Sequence, residues 1–143
     1  MHITSSAFEH NERIPAKYTC NGQNINPPLR IEDIPPGTQS MAIIVDDPDA
    51  PGGVFLHWLI WDIAPTTEIA ENSAPGTEGK NDFGKVEYGG PCPPSGTHRY
   101  FFRVHALSIP VNLSEGSGRA DLEQAMKDHI LAEEELFGLY AQT

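Results

Sequence analysis

Asp46-Asp47-Pro48-Asp49-Ala50-Pro51-Gly52-Gly53 runs directly into the apolar segment Val54-Phe55-Leu56-His57-Trp58-Leu59-Ile60-Trp61. Proline fixes its own φ and biases the preceding residue toward extended backbone, so Asp47 and Ala50 are both held extended. Restricting the unfolded chain in this way lowers the entropy lost on folding, which suits carboxylates that must point in definite directions. On these residues alone, a sharp polar loop between two strands is the plainer account, because Asp, Pro and Gly are common in such loops. The run after the loop is apolar on both parities. A strand of that kind has both faces covered, as in the middle of a sandwich.

Outward from this stretch, the same logic assigns the neighbours. Met41-Ala42-Ile43-Ile44-Val45 is a short continuous apolar run and predicts a central strand over Ser40 to Asp46. Leu29-Arg30-Ile31-Glu32-Asp33-Ile34 alternates and predicts a half-buried strand. Residues 2–8 predict a short first strand. Residues 9–28 are polar and irregular, with Asn21-Gly22 as a turn and Asn26-Pro27-Pro28 as a breaker. Residues 64–85 form a long Pro/Gly-rich connection, and loops of that length are usually functional or packed as their own unit. In Tyr88-Gly89-Gly90-Pro91-Cys92-Pro93-Pro94-Ser95-Gly96-Thr97, glycines permit several backbone N–H groups to face one point.

His98 to Leu107 reads as a long strand. Side chains alternate, so His98, Tyr100, Phe102 and Val104 share one face, and Arg99, Phe101, Arg103 and His105 the other. Toward the C-terminus, Leu122, Ala125, Met126 and Ile130 recur at helical spacing. A second helical segment is expected over 129–136, ended by Gly138, with Glu133-Glu134-Glu135 as its solvated face. No repeat and no domain boundary is visible, so residues 1–143 are read as one domain. The fold class that follows is mainly β: an antiparallel β-sandwich with a large central sheet, a smaller second sheet and peripheral C-terminal helices.

The chain has 143 residues, 38% of them hydrophobic, enough for a real core. Nine basic against twenty acidic residues give a net charge of −11. Such a charge argues against nucleic acid and against docking on an anionic membrane through a basic face. A small anionic ligand stays open, because a pocket's field is set locally. No run approaches a membrane span, and the N-terminus shows no secretory pattern. A cytoplasmic protein with Cys20 and Cys92 as free thiols is therefore expected, with a disulfide as the less favoured alternative.

Asp47-Pro48-Asp49-Ala50-Pro51, a histidine in the next strand, and Gly/Pro-rich residues leading into Gly96-Thr97-His98-Arg99-Tyr100 resemble the two signature blocks of the phosphatidylethanolamine-binding proteins, the family that includes the Raf kinase inhibitor proteins. Asn81-Asp82-Phe83-Gly84, Tyr88 to Pro94 and His129-Ile130-Leu131-Ala132-Glu133 resemble its prokaryotic branch. The resemblance spans nearly the whole chain. It implies a large antiparallel sheet with a smaller one packed on it and an anion pocket at one end. Carried over by position, the pocket involves Asp47, Asp49, His57, His98 and Tyr100, with Gly90 and Pro94 at its rim. It further implies an inhibitor-like role toward a protein target, a kinase or a protease. No cofactor and no metal is called for.

Asp47 and Asp49 would repel a phosphate, so its receptors are His57, His98, the Tyr100 hydroxyl and backbone N–H groups of the 89–97 loop. A carboxylate beside an imidazole favours its charged form and fixes its tautomer, which assigns Asp47 to orienting His57 or His98. Asp49 pairs with a base such as Arg99, or with a ligand ammonium. Other readings stand beside this one. A histidine in an apolar strand is most often hydrogen-bonded to backbone in a core. Two histidines and an aspartate are also a facial metal set. A His/Asp pair is the acid–base unit of a hydrolase acting on a phospho-compound. A protein working only through its surface, as a homodimer, is a further possibility. His2, His10, His105 and His129 read as surface or structural, Cys92 as an inert thiol, and Trp58 and Trp61 as packing on opposite faces.

Overall fold

Met41-Ala42-Ile43-Ile44-Val45 offers no polar side chain on either parity, and all eight residues of Ser40–Asp47 are buried in the computed structural model, which describes residues 1–142. The elements in chain order are β1 (His2–Thr4), β2 (Leu29–Glu32), β3 (Ser40–Asp47), β4 (Phe55–Ile63), β5 (Glu68–Ile69), β6 (Thr77–Glu78), β7 (His98–Leu107), α1 (Arg119–Met126) and β8 (Ile130–Tyr140). Two antiparallel sheets result, one ordered β1-β2-β5 and one ordered β6-β4-β3-β7-β8. The mainly β, two-sheet architecture expected from the sequence is what the chain adopts. No helix among the described residues is long and apolar enough to cross a membrane.

Two cores explain why the central strands are apolar on both parities. Between the sheets, Ile3, Leu29, Ile31 and Ile69 meet Ile43, Val45, Trp58, Ile60, Phe102 and Val104. On the outer face of the large sheet, Ala42, Ile44, Leu59, Trp61 and Leu107 are covered by Leu122 and Met126 of α1. Trp58 and Trp61 therefore pack on opposite faces. Burying either aromatic removes 150 Å² or more from water, roughly 4 kcal/mol of gross stabilisation before entropy is counted.

Two expectations are corrected. Residues 129–136 are strand, within β8, and not a second helix; α1 is the only α-helix among the described residues. Leu, Ala and Glu favour helix locally, but β7 presents an edge whose pairing outweighs that preference. Leu136 and Tyr140 enter the inter-sheet core, Glu135 pairs with Arg103, and Glu133 faces His105 across the ladder. Asp128, at φ +67°, makes the turn between helix and strand. Gly138 lies inside β8, where a Cβ would stand 2.4 Å from Ile14 Cγ1 and 2.7 Å from Phe8 Cε2. The second correction is that Cys20 and Cys92 are joined in a disulfide with Cα atoms 5.5 Å apart. Their sequence separation of 72 hides the contact, which arises only when the 88–94 loop folds back over the turn at residues 18–24.

Candidate functional site

The acidic turn divides its carboxylates among three environments. Strand alternation sends Asp46 to the outer face of the large sheet. There it is buried beneath Arg103 and Arg119, accepting from Arg103 Nη2 at 3.0 Å and Arg119 Nη1 at 2.8 Å. Asp47 points the other way, toward the inter-sheet side. Its Oδ1 accepts the Asp49 N–H at 2.8 Å, closing the Asp-Pro-Asp turn on itself, and its Oδ2 accepts from His98 Nδ1 at 2.7 Å. Asp49 stands at the surface, where it accepts from the Arg99 backbone N–H, Nε and Nη2, each at 2.9 Å. The Arg99 guanidinium holds the Asp49 carboxyl down at about 2. Asp49 is thereby committed to a side chain of its own protein, and it clamps the turn onto the start of β7.

Simple alternation along β4 would place His57 opposite Trp58. The ladder contains a bulge instead: Val45 pairs with Trp58 and Asp46 with Leu56, so His57 is the additional residue. A bulge breaks the alternation and re-aims a side chain, and here it turns His57 to the side occupied by Asp47 and Tyr100. His57 Nδ1 donates to the Gly89 carbonyl at 2.7 Å, and the Gly89 N–H returns a bond to the His57 carbonyl at 3.1 Å. Burial pushes the His57 imidazole below its ordinary pKa, against the smaller opposing pull of the Gly89 carbonyl and the Asp47 charge. His57 is thus a neutral ring with Nδ1 protonated and Nε2 carrying a lone pair.

His98, Tyr100 and Phe102 share the inner face of β7, as parity requires. The Tyr100 ring touches both imidazoles, edge-on to His57 at 5.3 Å and stacked on His98 at 6.3 Å between centroids. Its hydroxyl is buried and makes no hydrogen bond of regular geometry among the described residues. Burial, and secondarily the Asp47 carboxylate, push that hydroxyl's pKa well up, so it remains a neutral donor.

These groups meet in one cavity of about 260 Å³ lined by Asp47, Ala50, Pro51, Phe55, His57, Phe83, Cys92, Pro93, Pro94, His98 and Tyr100. Of the seven residues singled out in the sequence, Asp47, His57, Pro94, His98 and Tyr100 line it. Asp49 and Gly90 do not. Gly90 packs behind the site: its N–H donates to Asn24 Oδ1 at 2.8 Å, and a Cβ there would lie 2.3 Å from the Tyr18 carbonyl oxygen. Sequence reasoning missed the apolar lip formed by Pro51, Phe55 and Phe83. The sequence carried no signal for this lip, since single exposed apolar residues are ordinary and only the fold brings these three together; Phe83 is 43% exposed. A wider groove of about 890 Å³ lies on the outer face. There Asp46, Arg103, Arg119 and Glu123 already pair with one another, whereas the smaller cavity holds polar groups with unused valences.

Both histidines donate from Nδ1 to a fixed acceptor, which leaves both Nε2 atoms for whatever enters. A neutral Nε2 accepts a hydrogen bond; a protonated one donates and carries charge. With the Tyr100 hydroxyl, the site presents one acceptor, one ionisable donor backed by a carboxylate, and one neutral donor.

The sequence matches the phosphatidylethanolamine-binding protein family model over residues 4–141. It is 50% identical to the UPF0098 protein PH1269 of Pyrococcus horikoshii, over 95% of this chain and 74% of that one. It is 44% identical to a UPF0098 protein of Methanothermobacter thermautotrophicus over 98% of both chains. Among solved structures, the phosphatidylethanolamine-binding protein homologue CT736 of Chlamydia trachomatis superposes with a TM-score of 0.95 at 37% identity, covering 99% of this chain and 97% of that one. YbcL of Escherichia coli, described as a new member of the mammalian family, superposes with a TM-score of 0.91 at 28% identity, covering 99% and 98%. The chain belongs to the phosphatidylethanolamine-binding protein family.

Proposed function

We propose that this protein is a non-enzymatic binding protein whose cavity takes a small phosphorylated ligand of the phosphoethanolamine type. The observation that carries the reading is the convergence of His57, His98 and the Tyr100 hydroxyl, which makes no hydrogen bond of regular geometry among the described residues, on one cavity beside Asp47. A phosphate monoanion satisfies all three. Its P–OH donates to neutral His57 Nε2, while its anionic oxygens accept from protonated His98 Nε2 and from Tyr100. The Asp47 carboxylate balances the His98 charge from behind. The apolar lip suits a short organic substituent at the mouth. Membership of the family supports a binding role, and it extends the proposal to docking on a protein target, a kinase or a protease.

Calorimetric titration with inorganic phosphate and with phosphoethanolamine tests this. Saturable one-site binding is expected, weakened at least about tenfold by His98→Ala, the loss of one charge-assisted hydrogen bond. Affinity falls as pH rises, because the ligand P–OH that donates to His57 Nε2 loses its proton. Affinity that is constant from about pH 5.5 to about pH 8.5 refutes this arrangement of donors and acceptors. Incubation with an aryl phosphate in parallel separates the enzyme reading: turnover abolished by His98→Ala makes the protein a hydrolase.

A further inference from the structure

Cys20 and Cys92 are both solvent-exposed although they are bonded to one another, and Cys92 lies in the cavity wall. The loop that carries Cys92 is held unevenly on its two sides. Before Cys92, three hydrogen bonds fasten it to the 18–24 turn: Tyr88 Oη to the Tyr18 carbonyl at 2.8 Å, the Gly90 N–H to Asn24 Oδ1 at 2.8 Å, and the Cys20 N–H to the Pro91 carbonyl at 3.1 Å. After Cys92, a bond from Gln142 Nε2 to the Pro93 carbonyl at 2.8 Å is the one hydrogen bond to this part of the loop among the described residues. Pro93 and Pro94, which cover the cavity, are in this second part. The disulfide is the covalent tie on the cover, reinforced by Gln142, whose Nε2 also reaches Cys92 Sγ at 3.7 Å, while His57 keeps its own anchor through Gly89.

We infer that the Cys20–Cys92 disulfide is a thiol–disulfide exchange site whose reduction loosens the Pro93–Pro94 cover and opens the cavity. The co-reactant is a dithiol. One of its thiolates attacks a sulfur of the disulfide and the Cys20–Cys92 bond breaks, giving a mixed disulfide and a cysteine thiolate that takes up a proton. The second thiol of the reagent then attacks the mixed disulfide and releases the other cysteine. The dithiol leaves as its own disulfide, and the protein has gained two electrons and two protons. Both cysteine residues lie at the surface, which allows the attack without unfolding. The inference stands on the cavity's geometry and requires no ligand, so it survives or fails separately from the binding proposal.

The test treats the folded protein with dithiothreitol in the absence of denaturant. Released thiols are trapped with iodoacetamide, and diethyl pyrocarbonate modification of each histidine is followed by mass spectrometry. Both cysteines should be alkylated while the far-ultraviolet circular dichroism is retained. Modification of His57 and His98 should accelerate roughly tenfold, equivalent to about 1.4 kcal/mol of opening free energy, with exposed His2 and His10 unchanged. The Cys20→Ser/Cys92→Ser double variant should match the reduced protein without reductant. A disulfide released only on global unfolding, loss of the fold upon reduction, or free thiols with unaltered His57 and His98 modification would each overturn the inference.

Discussion

Asp46 and Asp49 are three residues apart in one acidic turn, both pair with arginine, and their removal should have very different consequences. The Asp46 side chain is 2% exposed and takes hydrogen bonds from two guanidinium groups that are each 29% exposed. Truncation to alanine leaves those cations partly buried without their shared counter-charge. Breaking a buried ion pair from one side costs about 3–5 kcal/mol. Arg103 and Arg119 retain Glu135 and Glu123 as second partners, which places Asp46→Ala at the low end, about 3 kcal/mol. The Asp49–Arg99 pair is 31% and 47% exposed. Despite its three contacts, solvent and salt screen it, and Asp49→Ala should cost about 1 kcal/mol or less. Urea denaturation of the two variants beside the parent protein measures both. The Asp46 variant should lose roughly 6–12 °C in thermal midpoint and the Asp49 variant only a few degrees, and a few hundred millimolar salt should narrow only the Asp49 effect. Equal losses, or an Asp46→Ala cost below about 1 kcal/mol, would refute the assignment of these carboxylates to buried and surface roles.

Acidification supplies a second prediction. Burial lowers the pKa of His57 and of His105 from the ordinary 6.5. Below that value the unfolded chain takes up protons that the folded chain refuses, so stability is retained above it and declines as pH falls beneath it. The urea midpoint should drop between neutral pH and about pH 5, and His105→Gln should flatten that slope; a slope identical in the variant counts against the burial argument. At lower pH the sign concerns carboxylates: Asp49, held at about 2 instead of 3.8 by Arg99, stabilises above 3.8 and loses that contribution as pH falls toward 2. Gly138→Ala should cost about 1–3 kcal/mol in chemical denaturation, because buried Ile14 and Phe8 leave no space for the methyl group. A neutral result would mean that the 8–14 segment yields more readily than its packing indicates.

Much of this arrangement was legible in the chain. Continuous apolar runs at 41–45 and 54–61 gave central strands, and alternation from His98 correctly put Tyr100 and Phe102 on its own face. Three features were hidden for physical reasons. The strand at 130–140 is built from helix-favouring residues, and only the open edge of β7, a property of the assembled sheet, reverses their preference. The Cys20–Cys92 bond joins segments 72 residues apart that carry no shared pattern. His57 reaches the cavity through a bulge opposite Val45 and Asp46, and period-two counting assigns it to the wrong face. The acidic turn was readable as a sharp polar loop between two strands, but the division of labour among its carboxylates depended on strand parity for Asp46 and Asp47 and on the approach of Arg99 for Asp49.

The central claim is that His57 and His98 hold their Nδ1 protons against Gly89 and Asp47 and offer both Nε2 atoms to one anionic ligand. Imidazole nitrogen-15 NMR, recorded while phosphoethanolamine is added, reads this directly. Before addition, both rings should show a protonated Nδ1, with His57 neutral. On addition, the two Nε2 resonances should move together along a single saturation curve, and the other histidines should stay still. A protonated Nε2 with a bare Nδ1 on His57, or Nε2 signals at 57 and 98 that ignore the ligand, would contradict the account.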